Sequence, residues 1–457
     1  MKTRFYLMLS VAIGLAACTN DDSIENAMVQ EEVGLVQYDP NRRSYEEAME
    51  IAQNSIQMLQ DDEVDARSAA HVRTLNLNDV KTVRKTVSRA DGTVSDNDTL
   101  LYIFNFDDNQ GFAVVSASRQ TDGLIAVTEA GNYDPAVPTG NPGFDMYMKM
   151  AEAYVTNEDK VALVEELCDA RSTANPWYRP IYDTTYYAKI EPRIKVKWGQ
   201  EGIIGQYCPN YVSGCANTAA AQIMSYYQYP TTLTLTYSGR DVNSTALNWS
   251  TMTDNMHIYT YYLGNYDEAD KQIGRLARQL GQLAGSTYHE YSNPENNETS
   301  TSISGIRSAL QNLGYNVGTI TNYNYKLANN VTNPDAGYPL ATLLSTGKLI
   351  MMGGEKSNND DGHAWVIDGC YYVKVKYVMQ VSYDEGVTWS VYQEQYTYRT
   401  CHNHINWGWD GVYNGYFEGS VFNVFSVLQE DSEPIYPLDP EQDLNYCNNI
   451  QYFAVWR

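Results

Sequence analysis

Beyond residue 17 the chain lacks any long uninterrupted apolar run, so no later segment meets the roughly 20-residue length of a membrane-spanning helix. It is also short of positive charge: 31 Lys and Arg against 56 Asp and Glu leave a formal net charge of −25. That balance argues against nucleic acid or an anionic lipid surface as partner. No phosphate-cradling glycine loop occurs, and no basic patch interleaved with aromatics. The seven cysteines, Cys18, Cys168, Cys208, Cys215, Cys370, Cys401 and Cys447, include no CxxC pair, so a zinc ribbon is not indicated. Histidine is scarce as well, with only His71, His257, His289, His363, His402 and His404. Any thiol chemistry that needs an imidazole has few bases to choose from.

What the sequence does have begins at its N-terminus. "MKTRFYLMLSVAIGLAAC" carries Lys2 and Arg4, an apolar run from Phe5 to Ala17, and small residues before Cys18. The run is too short to span a bilayer and reads as an export signal. The ending "LAAC" resembles a bacterial lipobox, in which cleavage leaves the cysteine as a lipid-bearing N-terminus. Residues 1–17 are therefore expected to be a lipoprotein signal peptide and Cys18 a lipid anchor, the only contact with a membrane. Residues 18–36, polar and acidic, read as a tether. The expected location is the bacterial outer membrane, at the cell surface, with release of a mature domain.

The next stretch mixes helix and strand signals. "YEEAMEIAQNSIQML" has helical apolar spacing, and "TLLYIFNFDDNQGFAVVSAS" places two β-rich runs around a turn. "FDMYMKMAEAYV" and "KVALVEELCDA" are again helical in period. Together these give a small α+β domain over residues 37–170. Residues 171–192, "RSTANPWYRPIYDTTYYAKIEP", hold three prolines and little periodicity, and read as an exposed linker open to proteolysis. From residue 193 to 457 helical patterns come first ("NTAAAQIMSYYQ", "DKQIGRLARQLGQLAG", "TSISGIRSALQNLGY"). Strand patterns follow ("GKLIMMGG", "HAWVIDG", "TWSVYQEQYTYRT", "NGYFEG"). That order predicts an α+β domain with separate helical and sheet subdomains.

Cys215, in "VSGCANTAAAQIM", sits at the expected first turn of an alanine-rich helix, between Gly214 and Ala216. A thiol is a nucleophile only as thiolate, and a helix start favours the anion through its dipole and unpaired N–H groups. Such a thiol needs a base. His363 opens the apolar strand "HAWVIDG" after the polar turn "NNDDG", at the separation of about 130–150 residues typical of papain-type peptidases. Asn406 in "HINWGWDG" could orient the imidazole, with Trp407 and Trp409 shielding that contact from water. Gln200 in "KWGQ" could supply a side-chain donor to an oxyanion. Cys401, His402 and His404 could instead be metal ligands, but on a strand the cysteine and the two histidines face opposite ways.

In this order, "KWGQ", "GCANTAAAQIMSYYQYP", "GHAWVIDG" and "HINWGWDGVYNGYF" resemble the streptopain family of papain-like cysteine peptidases. "GIRSALQNLGYN" extends the likeness, and "LYIFNF" and "GFAVVSAS" resemble that family's propeptide. The resemblance implies a papain-like α+β fold over 193–457, preceded by an inhibitory propeptide domain over 37–170 and an activation linker at 171–192 that is cut between Arg171 and Lys195. It implies Cys215 as nucleophile, His363 as base, Gln200 as oxyanion donor, Asn406 as orienting amide and Trp407 as shield. It implies protein or peptide substrates, the chain's own propeptide as intramolecular inhibitor, and neither metal nor organic cofactor. Asp410 departs from the family, which usually has a further glycine there, and the stretch from Tyr371 to His402 is long enough for an extended hairpin. The rival readings are a non-catalytic surface binding lipoprotein that retains the fold, and a Cys–His acyl transferase.

Overall fold

The computed structural model describes residues 41–60, 73–85, 99–156, 178–233, 245–254, 266–293, 297–323, 339–355, 362–382, 388, 390–423 and 450–457. Signal peptide, tether, Cys18 and the helical pattern "KVALVEELCDA" lie outside them. Residues 40–457 form one compact unit, and no described helix is long and apolar enough to cross a membrane.

The chain opens with α1 (Tyr45–Ser55), whose start is fixed by a capping box: Ser44 accepts the Glu47 N–H and Glu47 reaches back to the Ser44 N–H. Three strands that alternate in direction follow the first, β1 (Leu75–Arg84): β2 (Thr99–Phe106), β3 (Phe112–Ser116) and β4 (Leu124–Thr128). The β2–β3 turn is the one the "DDNQG" stretch predicts, with Asp108 and Asn109 at positive φ. Helix α2 (Pro142–Thr156) then buries Phe144, Tyr147, Met150, Ala151 and Tyr154. Its Tyr147 hydroxyl donates to Ile125 O at 2.9 Å.

The second half carries α3 (Cys215–Tyr227), α4 (Glu268–Ala284) and α5 (Ile303–Asn312), followed by β6 (Leu349–Glu355), β7 (Gly362–Val381), β8 (Ser390–Asn406), β9 (Gly415–Glu418) and β10 (Gln451–Trp456). The helices gather on one face of this sheet, where Ala219, Ile223, Leu276, Leu280, Ile306 and Leu310 meet Leu349, Met351 and Val366. Ile350, Met352, Trp365 and Ile367 point to the opposite core. With both faces covered, these strands read as continuous apolar runs and not as alternating ones. The three long helices thus precede the long strands of this half, with short strand pairs (Thr232–Leu233 with Thr245–Ala246, Thr287–His289 with Glu298–Ser300) between them, and the extended hairpin is there as β7 and β8.

Two features were not foreseen. First, residues 178–190 of the expected irregular linker form a thirteen-residue strand, β5 (Tyr178–Ile190), antiparallel to the outer half of β7 from Cys370 to Val381. Its Tyr, Thr and Ile content suits a strand, and Pro180 is tolerated because β5 lies at an edge. Second, β4 pairs with β9, Gly415 opposite Thr128 and Phe417 opposite Ala126. The sheet therefore runs without a break from β1 to β10, in the order β1-β2-β3-β4-β9-β8-β7-β6-β10, within a twelve-stranded sheet among the described residues. A shared core backs the junction: Tyr147 stands edge-on to Phe417 at 4.9 Å, and Phe144 stacks on Tyr413 at 4.7 Å.

Candidate active site

Gly214 ends the approach to α3 with φ +83° and ψ 152°, a conformation an L-residue rarely adopts. A Cβ there would meet Thr299 O at 2.7 Å, so the turn requires glycine. The next residue, Cys215, is the first of α3, where unpaired backbone N–H groups and the helix dipole favour an anionic sulfur. The segment Trp198–Gly199–Gln200 is laid along this helix by side chains of its buried face. Gln222 Nε2 donates to Trp198 O at 2.8 Å, Thr218 Oγ1 to Gly199 O at 3.3 Å, and the Ser213 N–H and Oγ to Gln200 O at 2.8 and 3.0 Å. A run of small and polar residues thereby brings Gln200 to Cys215 across fourteen intervening positions.

His363 stands at the start of β7, opposite Gly354 of β6, and is 4% exposed. Its ring lies among Trp365, Trp407 and Trp409, with centroids 6.4, 6.4 and 6.5 Å away. Nε2 is 3.0 Å from Trp407 O, and with the proton on Nε2 it donates to that carbonyl and leaves Nδ1 as the basic nitrogen. The expected pairing of Asn406 with the imidazole differs here. Asn406 Nδ2 donates to Val196 O at 3.3 Å, and its Oδ1 accepts the Gly408 N–H at 3.1 Å. The amide fixes the loop, and the neighbouring carbonyl, Trp407 O, holds the ring. Trp407 itself is fully buried, packed on Trp365 at 5.3 Å.

Gln200, Cys215, His363, Trp409 and Asp410 line one cleft of about 940 Å³, together with Thr139 and Pro142 from the start of α2. Gly143 is packed against His363 and Trp407: a Cβ on it would overlap the imidazole Cδ2 and fall 2.6 Å from Trp407 Cε3 and 2.9 Å from His363 Nε2. The N-terminal region thus contributes to the wall of the cleft and packs backbone against His363. Sequence reading missed Gly143, and its only signal is a Pro-Gly helix start.

His402 and His404, weighed as metal ligands, serve the junction between the two halves. His402 Nε2 is 2.9 Å from Leu124 O, and burial lowers its pKa. His404 Nδ1 lies 2.6 Å from Asp368 Oδ1 and its Nε2 3.2 Å from Glu129 Oε1. Burial alone would depress His404, but the two carboxylates outweigh it and raise the pKa to about 10. Glu129 is likewise pushed up by burial and pulled down further by His404, to about 2. The other Asp368 oxygen accepts the Ile194 N–H at 2.8 Å.

Two family models match the chain: the peptidase C10 family over residues 185–417, and the Spi protease inhibitor over residues 40–155. Streptopain of Streptococcus pyogenes is 23% identical over 343 residues, covering 71% of this chain and 74% of its own length. Among solved structures, a cysteine-to-alanine mutant of a prointerpain A fragment from Prevotella intermedia is 19% identical with a TM-score of 0.46, covering 84% of this chain and 98% of its own. Active interpain A from the same organism is 20% identical with a TM-score of 0.34, over 58% and 94%. With a C10 model spanning half its length, a Spi domain before it and a cleft lined by both a helix-start cysteine and a strand-start histidine, the chain belongs to the peptidase C10 family and is a cysteine endopeptidase with its own N-terminal inhibitor domain.

Proposed function

We propose that this protein is a lipid-anchored bacterial zymogen that cleaves protein substrates through an acyl-enzyme on Cys215. The observation that carries the reading is the convergence of Gln200, Cys215 and His363 on one cleft, with the sulfur at the start of α3. His363 Nδ1 takes the thiol proton, the thiolate attacks the scissile carbonyl, and the Gln200 side chain with the Cys215 backbone N–H receives the oxyanion. His363 then protonates the leaving amine, and water released onto the thioester by the same base frees the acid. Trp407 O steadies the imidazole through Nε2–H, while Asn406 holds the loop that presents this carbonyl and the Trp407 ring keeps water from it. No step calls for a metal or an organic cofactor.

In the zymogen the start of α2 closes the cleft and Gly143 presses on His363. Cleavage after the inhibitor domain opens the site. Because β5 is paired along its length with β7, the cut is expected before Tyr178, so that β5 stays with the enzyme. The lipobox at Cys18 supports anchoring at the outer membrane, on the cell surface, and the cut would release the catalytic domain from the lipid. The test compares residues 19–457 with the Cys215→Ala variant under reducing conditions near neutral pH, followed by intact mass. The expected result is processing of the wild type to a fragment that begins before Tyr178 and none in the variant. Processing or peptide hydrolysis that persists in Cys215→Ala would defeat the assignment.

A further inference from the structure

Asp410 is the residue of "NWGWDG" that the chemistry above leaves unused. Its backbone sits at φ +53°, a left-handed position that glycine fills most easily and aspartate tolerates better than most residues. Its carboxylate accepts the Gly199 N–H. The approach is close: a Cβ on Gly199 would come within 2.7 Å of Asp410 Cγ and 2.8 Å of Oδ2. Gly199 directly precedes Gln200, and its carbonyl is held on the opposite side by Thr218 of α3. Gly199, the residue before Gln200, is therefore held through both its carbonyl and its N–H, by the helix that bears Cys215 and by the loop that bears Trp407.

We propose that Asp410 is a positioning residue for peptide hydrolysis: by holding the Gly199 N–H, its carboxylate fixes the Gln200 side chain at the level of Cys215, where the oxyanion forms. The inference rests on the reading of Gln200 as oxyanion donor. Glycine at position 410 would relieve the backbone but leave the Gly199 N–H without this acceptor, which explains why a side chain is carried at a left-handed position. Burial pushes the Asp410 carboxyl up to about 6, the Gly199 N–H partly opposes this, and Glu201 adds to the rise. The other charged group of the adjoining segment is Lys197, whose stem lies along Gly411, and His363 lines the same cleft. A carboxyl raised above its ordinary value is protonated early on acidification, so the charged acceptor is present above about pH 6 and lost below it.

The test uses the full chain, activated, with a peptide amide substrate, and compares wild type, D410G, D410N, Q200A and the double variant Q200A/D410G. Removing an oxyanion donor costs about 100–1,000-fold in kcat, and a misplaced donor part of that. The expected result for D410G is a loss of about tenfold in kcat with KM within about twofold. D410N, which keeps a neutral acceptor, falls by less and lacks the acid limb near pH 6 that the wild type shows. The double variant is no slower than Q200A, because Asp410 acts through Gln200. A wild-type kcat in D410G, a loss confined to KM, or a D410G loss that adds fully to that of Q200A overturns the proposal. Wild-type turnover in Q200A overturns the oxyanion reading on which it rests.

Discussion

Gly143→Ala asks whether backbone contact at the start of α2 keeps the enzyme silent. The added methyl group would overlap His363 and sit 2.6 Å from Trp407 Cε3, both on buried, tightly packed side chains. No positive φ is involved at this position, so the effect is one of space alone. Overpacking of this kind costs about 1–3 kcal/mol. At about 1.4 kcal/mol per factor of ten, that raises the population with α2 lifted from the cleft roughly 5–150-fold. The assay is the half-time of self-processing, measured over a range of protein concentrations, with Lys149→Ala on the exposed face of α2 as a control. Processing should accelerate in Gly143→Ala and stay unchanged in Lys149→Ala. Because residue 143 leaves with the inhibitor domain, the mature enzymes should have identical kcat/KM. In the Cys215→Ala background, where nothing is cut, the same substitution should lower the thermal midpoint. Unchanged processing together with an unchanged midpoint would refute the packing argument.

The Glu129–His404–Asp368 bridge predicts a particular pH dependence. Glu129 is depressed from 4.5 to about 2, so its contribution is complete above pH 4.5 and is lost on falling through about 2. His404 is raised from 6.5 to about 10, so its contribution is complete below pH 6.5 and is lost on rising through about 10. In the Cys215→Ala zymogen, Glu129→Gln should therefore destabilise by roughly 1.5–3 kcal/mol, as for a charged hydrogen bond. The difference from the parent, read by denaturant midpoints, should be greatest between pH 4.5 and 6.5 and shrink toward 10; a difference independent of pH would contradict the pairing. At the other end of the chain, the full-length protein expressed in a bacterial host that lipidates should enter a detergent phase, and Cys18→Ser should leave it in the aqueous phase. Equal partition of the two would remove the lipid anchor.

How much of this was legible in the sequence follows from the range of each interaction. Periodicity is local, and it places α1, the β2–β3 hairpin, α2, α3, α4 and α5 where the apolar spacing and the turn residues indicate. Cys215 and His363 likewise line one cleft, because the first rides on a helix and the second on a strand that their own neighbours specify. β5 was read as linker because its partner is nearly two hundred positions away, and edge pairing leaves no alternation that a local window can detect.

The amino-acid sequence by itself determined the local placement of the groups available for chemistry: that the Cys215 thiol begins a helix and that the His363 imidazole stands at the start of a strand. Only the tertiary structure decided the contacts made through backbone. Trp407 O rather than the Asn406 amide meets His363, Gly143 lays its Cα against His363, Asp410 takes a main-chain N–H, and β4 joins the inhibitor to the enzyme as one sheet. Main-chain carbonyls and N–H groups are the same at every position. A sequence cannot mark which of them will be used until distant segments are packed together.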